Sequence, residues 1–109
     1  MIVEYIRYTI PADRRDAFER GYAEAGRALD TSAHCLAYEL ARCAEDATQY
    51  VLRIEWDSAE GHLQGFRRSP QFRPFFAAIG PFVNDISEMR HYELTSVVGC
   101  RAPQSTTPS

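Results

Sequence analysis

The segment Ile54-Glu55-Trp56-Asp57-Ser58 runs directly into Ala59-Glu60-Gly61-His62-Leu63-Gln64-Gly65-Phe66-Arg67-Arg68-Ser69-Pro70-Gln71-Phe72. It predicts a strand that ends in Trp56, a helix capped by Ser58 and a second helix opened by Ser69 and Pro70. A large aromatic side chain at a strand end, beside polar groups on a helix, is one way to build a small-molecule pocket. The segment therefore predicts both the order of the elements and the place of a binding site.

Around this segment, the spacing of apolar residues predicts strands and helices in the order β-α-β-β-α-α-β. The strands are expected at residues 2–10, 34–42, 49–57 and 82–94, and the helices at residues 13–29, 58–66 and 69–79. Asp13 is the expected N-cap of the first helix. This order is that of a ferredoxin-like α+β domain, whose helices cover one face of the sheet. We expect residues 1–96 to form this domain and residues 97–109 to form a disordered C-terminal tail.

Strand alternation separates the two faces of the predicted sheet. The face expected under the helices carries mostly apolar residues, namely Ile6, Tyr8, Leu36, Tyr38, Leu40, Tyr50, Leu52, Ile54, Trp56, Met89 and His91. The other face mixes apolar residues with three arginines and three glutamates, namely Tyr5, Arg7, Glu39, Val51, Arg53, Glu55, Glu88 and Arg90. A charge-balanced face of this kind is suited to burial against a second copy, so we expect a homodimer. A solvated sheet face is the alternative.

The composition excludes several classes of partner. The 109 residues carry a net charge of −3, and their twelve basic residues, all arginine, are scattered, which argues against a nucleic-acid partner. No apolar run approaches the ~20 residues of a membrane span, and no secretory leader opens the chain, so we expect no membrane partner and a cytoplasmic location.

Motifs for cofactors are not found in the sequence. No phosphate-binding glycine loop, metal-ligand motif or nucleophile elbow occurs, which predicts a site without nucleotide, metal or other cofactor. The cysteines Cys35, Cys43 and Cys100 are odd in number and lack CxxC spacing, which disfavours a disulfide framework or a zinc site. Cys35 and Cys43 are expected to be small buried thiols on the second strand.

Three short motifs carry a family resemblance: Tyr38-Glu39-Leu40 on the second strand, Glu55-Trp56 ending the third, and Ser69-Pro70-Gln71-Phe72 opening a helix. In this order the chain resembles the antibiotic biosynthesis monooxygenase family over about residues 1–94. The resemblance implies a homodimer built as a dimeric α+β barrel, with a pocket between sheet and helices in each subunit. Members include cofactor-free monooxygenases that oxidise phenolic or anthrone-type polyketides to quinones, quinol monooxygenases and haem-degrading enzymes.

The chain departs from some members at informative positions. Haem-degrading members have a ligand histidine where this chain has Phe66, and an asparagine on the first strand where it has Ile6. Haem degradation is therefore disfavoured, although His62 lies one helical turn before Phe66. Polyketide-oxidising members have an asparagine, which helps to activate the substrate, at the position of Leu52. This chain therefore shares their tryptophan, as Trp56, but lacks their asparagine.

His62 and His91 are the candidate catalytic residues, because histidine is the side chain whose pKa lies nearest neutrality. A base would remove a proton from a substrate that readily becomes an anion, and the anion would then pass an electron to O₂. The candidate substrate-binding residues are Trp56, Phe66, Tyr38, Tyr50, Leu52 and Phe72. Each also has an ordinary structural interpretation as a core aromatic, a core aliphatic or a satisfied core hydroxyl.

We therefore expect a cofactor-independent monooxygenase that uses O₂ to oxidise a small aromatic substrate, a phenol, a quinol or a polycyclic compound, to a quinone. The alternative is a protein of the same fold that binds small aromatics or transfers protons without oxygenase activity. A haem-binding or haem-degrading variant is less favoured.

Overall fold

A computed structural model describes residues 1–101 of the chain. Four strands, two α-helices and three shorter helical segments follow one another along the chain. They are β1 (Ile2–Thr9), a 3-10 turn (Ala12–Arg14), α1 (Arg15–Asp30), β2 (Cys35–Arg42), β3 (Gln49–Trp56), a π-helical segment (Gly61–Phe66), α2 (Phe72–Ile79), a 3-10 segment (Gly80–Asp85) and β4 (Ile86–Glu93).

The strands form one antiparallel sheet in the order β2-β3-β1-β4. The helices α1 and α2 contact each other and lie on one face of the sheet, so the predicted ferredoxin-like α+β fold is confirmed. The two central strands, β1 and β3, lie at the middle of the sheet, and their inward side chains form the floor beneath the helices.

The core follows the predicted alternation most closely on β3. Tyr50, Leu52, Ile54 and Trp56 are all buried, and the residues between them are only half-buried. Burying side chains of this size contributes roughly 1.5–3 kcal/mol each. The ring of Phe18 on α1 packs against this floor, which holds the helix on the sheet.

The edge strands differ from the predicted pattern. Leu36 is 55% exposed because the pairing register of β2 shifts between Cys35 and Ala37. Met89 on β4 is 43% exposed because the helices reach this edge only in part. Cys35 and Cys43 are half-buried rather than buried.

Two of the three predicted caps are wrong. Asp13 lies inside the 3-10 turn and caps nothing, because α1 begins only at Arg15. The Ser69 hydroxyl donates to the Phe66 carbonyl at 2.7 Å, and α2 begins at Phe72 without a side-chain cap. The Ser58 cap is confirmed, since its hydroxyl accepts the Gly61 N–H at 2.8 Å.

The predicted fourth strand is shorter than expected, since residues 80–85 form a 3-10 segment. In the predicted tail, residues 97–101 contain no helix or strand, and residues 102–109 lie outside the described part of the chain. None of the helices within residues 1–101 is both long and apolar enough to span a membrane.

The sheet face away from the helices carries charges that pair within the chain. Glu39 lies directly opposite Arg53, and Arg7 directly opposite Glu88. The ion pairs on this face are Arg53–Glu55 at 2.8 Å, Arg53–Glu39 at 3.7 Å, Arg7–Glu88 at 3.4 Å and Arg90–Glu88 at 2.9 Å. The face is therefore charge-balanced, as predicted, and the homodimer expected from it stays a prediction.

Candidate functional site

A partly open cavity of about 180 Å³ lies between the inward face of the sheet and the helical segments. Its walls are mostly aromatic and aliphatic, and its ionisable side chains are those of Glu4, Tyr8, His62 and Arg67. The lining residues are Glu4, Ile6, Tyr8, Ile54, Trp56, His62, Phe66, Arg67, Phe72, Phe75, Phe76, Ile79, Val83, Ile86 and Met89. Pockets of this composition, apolar with a few convergent polar groups, are typical of small-molecule sites.

The segment around Trp56 builds one wall of this cavity. Trp56 is fully buried at the end of β3, and its ring lies 4.6 Å from that of His62 and 5.1 Å from that of Phe66, measured between centroids. His62 and Phe66 both belong to the π-helical segment, where the Arg67 N–H donates to the His62 carbonyl at 3.2 Å. Such widened turns occur often at functional sites.

Glycine allows this segment to lie close to the chain before it. A Cβ at Gly61 would overlap the Asp57 side chain, and one at Gly65 would overlap the imidazole of His34. His34 and Asp57 pair with each other at 2.9 Å. The two glycines therefore let the π-helical segment approach the strand ends closely enough to place His62 and Phe66 inside.

A buried carboxylate occupies one end of the cavity. Glu4 is only 3% exposed, because it lies on β1 with the same inward parity as Ile6 and Tyr8. The indole Nε1–H of Trp56 donates to Glu4 Oε1 at 3.1 Å. The other oxygen, Oε2, lies 3.4 Å from His91 Nε2 and 3.7 Å from His62 Nε2.

The histidines reach Glu4 from different elements. His91 lies opposite Glu4 in the β1–β4 register, and its side chain is 38% exposed. His62 is 4% exposed, and its ring lies 4.9 Å from that of His91, between centroids. Among the residues that the structure describes, neither ring nitrogen of His62 has a hydrogen-bond partner. The three side chains place their ligand atoms within 4.8 Å of one another, so they form a group, within residues 1–101, that could hold a metal ion.

Burial changes the acid–base properties of this end of the cavity. It raises the pKa of Glu4, although the Trp56 hydrogen bond and the charges of His91 and Arg67 act in the opposite direction. Burial also lowers the pKa of His62 to about 4, with the positive charges of His91 and Arg67 as further causes. Both shifts favour the uncharged form, because desolvation is the largest cause in each case.

The structure brings together only part of the predicted site. Trp56, His62, Phe66 and Phe72 line the cavity, and His91 joins them through Glu4. Tyr38, Tyr50 and Leu52 instead line an open groove of about 480 Å³.

Strand length separates these two groups. Leu52 shares a face with Trp56, but four residues of strand place it ~13 Å away. The hydroxyls of Tyr8 and Tyr22, which are hydrogen-bonded to each other, lie between the cavity and the groove. In the groove, the Tyr50 hydroxyl donates to the Glu19 carboxylate, as a satisfied core hydroxyl would.

Glu4 is the residue that sequence reasoning missed. Its signal was present, since this charged residue has the same strand parity as the inward Ile6 and Tyr8. A carboxylate at an inward strand position is rarely buried without a partner. The expectation of no metal-ligand cluster rested on local spacing, whereas Glu4, His62 and His91 come from three separate elements.

Comparison with known proteins places this architecture in a family. The profile described as "Antibiotic biosynthesis monooxygenase" matches residues 1–78. The uncharacterized protein YczJ of Bacillus subtilis (strain 168) is 24% identical over 93 residues, which cover 85% of this chain and 98% of that protein.

Solved structures of other proteins share the fold of this chain. A Bordetella bronchiseptica protein, provisionally named an antibiotic biosynthesis monooxygenase, superposes with a TM-score of 0.70 at 24% identity, covering 86% of this chain and 96% of that one. A conserved protein from Methanosarcina mazei Go1 gives a TM-score of 0.72 at 17% identity, covering 86% of this chain and 92% of that one. Because the family profile matches well over half of its residues, the chain belongs to the antibiotic biosynthesis monooxygenase family.

Proposed function

We propose that this protein is a monooxygenase that uses O₂ to oxidise a phenol or quinol of one or two rings to a quinone. The observation that carries the proposal is the partly open aromatic cavity with the buried Glu4 and His62 at one end. Family membership supports the reaction class, and the cavity supports the choice of substrate.

The volume of the cavity narrows the substrate class. At about 180 Å³ it is slightly larger than the ~150 Å³ that accommodates benzene in an engineered protein cavity, and smaller than the ~300 Å³ at which drug-sized sites begin. A one- or two-ring aromatic fits this volume, whereas a polycyclic polyketide or haem exceeds it and would extend out of the cavity. Phe66, which is 1% exposed, also fills the position of the ligand histidine in haem-degrading relatives.

The walls would orient an aromatic ring. Trp56 and Phe66 offer ring faces inside the cavity, and stacking against them would direct the substrate hydroxyl toward the polar end. Glu4 Oε2 is the acceptor that points away from the Trp56 hydrogen bond. Burial raises the pKa of Glu4, which makes its carboxylate a better proton acceptor, and lowers the pKa of His62, which makes that imidazole a poorer one. We therefore propose that Glu4 takes the hydroxyl proton and that His62 positions the substrate oxygen.

The reaction balances with the substrate as the electron donor. Removal of the hydroxyl proton gives a phenolate, which passes one electron to O₂, and the resulting superoxide bonds to a ring carbon. The proton held by the base returns to the new peroxide. Cleavage of the O–O bond, with loss of the hydrogen on that carbon, then gives the quinone and one water. One oxygen atom of O₂ enters the product and the other leaves as water.

The test is a size series of phenols and quinols with one, two and three rings, measured with an oxygen electrode. One O₂ should be consumed per quinone, and ¹⁸O₂ should place a single labelled atom in the product of a monophenol. Consumption should fall sharply at three rings. If no member of the series consumes oxygen above a protein-free blank, the alternative of an aromatic-binding or proton-transfer protein is favoured.

A further inference from the structure

We propose that Glu4, His62 and His91 form a binding site for one divalent first-row transition-metal ion, with an open coordination position toward the cavity. The inference starts from two histidines and one carboxylate whose ligand atoms lie within 4.8 Å of one another. Imidazole and carboxylate ligands in this ratio suit zinc or iron(II). The proposal rests on this geometry and not on the oxidation proposed above.

The distances around Glu4 Oε2 are close to the separation between two ligands of one metal ion. His91 Nε2 lies 3.4 Å away and His62 Nε2 lies 3.7 Å away. An ion bound through bonds of ~2.0–2.2 Å separates two of its ligand atoms by about 3.0–3.6 Å. The three ligand atoms lie within 4.8 Å of one another, so a contraction of these side chains by up to about 1–2 Å around an ion would complete the site.

The second observation is the state of His62. This imidazole is 4% exposed, its Nε2 faces Glu4 Oε2, and neither ring nitrogen finds a hydrogen-bond partner among the described residues. Buried polar groups in folded proteins almost always have partners, so an orphaned nitrogen needs an explanation. A metal ion between His62, Glu4 and His91 supplies one.

The surroundings hold the carboxylate in a ligating orientation. The Trp56 Nε1–H donates to Glu4 Oε1 at 3.1 Å, which leaves Oε2 directed at the two histidines. Hydrogen bonds of this kind to ligating carboxylates orient them and tune the metal affinity. Trp56 is thus a positioning residue for the site.

An open position would make the site relevant to the cavity. Three protein ligands leave at least one place free on zinc or iron(II), and two of the three, Glu4 and His62, also line the cavity. A phenolic oxygen bound there would lose its proton more readily, because a metal ion stabilises the anion. A metal ion bound at this site and the metal-free Glu4 carboxylate are therefore two alternative ways of forming the same phenolate.

The experiment measures binding directly. Protein treated with a chelator and then dialysed against micromolar zinc should retain one zinc per chain by mass spectrometry. Cobalt(II) should give the visible absorption bands of a four- or five-coordinate ion. Failure of the wild-type protein to retain stoichiometric metal would overturn the proposal.

A matched pair of variants locates the site. His91→Ala and His34→Ala each remove a half-exposed histidine beside a carboxylate, with side chains 38% and 37% exposed. His91→Ala should weaken zinc binding at least about 100-fold, while His34→Ala leaves it unchanged. Trp56→Phe should weaken it ~10- to 100-fold, as expected for loss of a hydrogen bond to a ligand. Equal affinity in His91→Ala and wild type, with both folded by circular dichroism, would refute the assignment.

The metal site and the proposed oxidation can fail separately. Zinc binding is measured without substrate, and oxidation is measured on chelator-treated protein. Metal binding without oxidation of any phenol supports the site and counts against the proposed function. Oxidation by a protein that retains no metal supports the proposed function and counts against the metal site.

Discussion

Replacement of Glu4 by glutamine tests the proposed base with little disturbance of the fold. Glutamine has the size of glutamate, and its amide oxygen can still accept the Trp56 N–H that Glu4 Oε1 accepts at 3.1 Å. What the amide cannot do is take up the substrate proton.

The expected effect follows from this difference. Loss of a general base lowers kcat by ~10²–10⁴-fold, equivalent to roughly 2.7–5.4 kcal/mol of transition-state stabilisation. KM should change little, since Trp56, Phe66 and the other apolar walls still supply most of the contact area. The free energy of unfolding should change by no more than ~1 kcal/mol, because a neutral amide in this buried position keeps its hydrogen bond.

The assay is oxygen consumption by chelator-treated protein at saturating substrate, with quinone formation followed by absorbance. Glu55→Gln is the matched control, since Glu55 precedes Trp56 on β3 but lies on the opposite face of the sheet. It should retain wild-type kcat. A Glu4→Gln protein with kcat within about threefold of wild type would refute Glu4 as the base. In that case, a loss of ~10²-fold or more in His62→Ala would assign the role to His62.

The remaining predictions concern stability, substrate size and assembly. Trp56→Phe should lower the free energy of unfolding by about 1.5–3 kcal/mol in urea titrations, because the buried Glu4 carboxylate loses its donor; an unchanged midpoint would contradict this bond. Phe66→Ala should cost ~3–5 kcal/mol but enlarge the cavity, so that the three-ring phenol rejected by wild type is bound, as calorimetry would show. Arg53→Glu should weaken the expected homodimer, because it places three carboxylates together with Glu39 and Glu55; sedimentation of the wild-type protein as a monomer at micromolar concentration would remove the dimer itself.

Local patterns were sufficient for the order of the elements. The alternation from Tyr50 to Trp56 predicts a half-buried strand, and that strand is present with these side chains inside. Helix ends were less predictable. Serine is a common N-cap residue, but the Ser69 hydroxyl donates to the Phe66 carbonyl in the preceding turn and does not cap α2. A serine side chain can hydrogen-bond to several nearby backbone groups, and the residue type alone does not predict which of these groups will be its partner.

The candidate site divides in the same way. The segment from Trp56 to Phe66 forms one wall of the cavity by itself, because the relative positions of residues this close in the chain are set by local geometry. The polar end could not be read from spacing, since Glu4, His62 and His91 lie far apart along the chain. Their meeting depends on the β1–β4 register and on the docking of the π-helical segment over β3.

The sequence alone was enough for the fold class, the charge-balanced outer face and the aromatic wall, because each depends on periodicity within a single element or on neighbours in the chain. Tertiary structure decided that Tyr38 and Leu52 lie in a separate groove and that a buried carboxylate joins two histidines. The reason is physical: contacts between distant segments are set by strand register and helix packing. A shift of one residue in the register of β1 would turn Glu4 to the opposite face of the sheet.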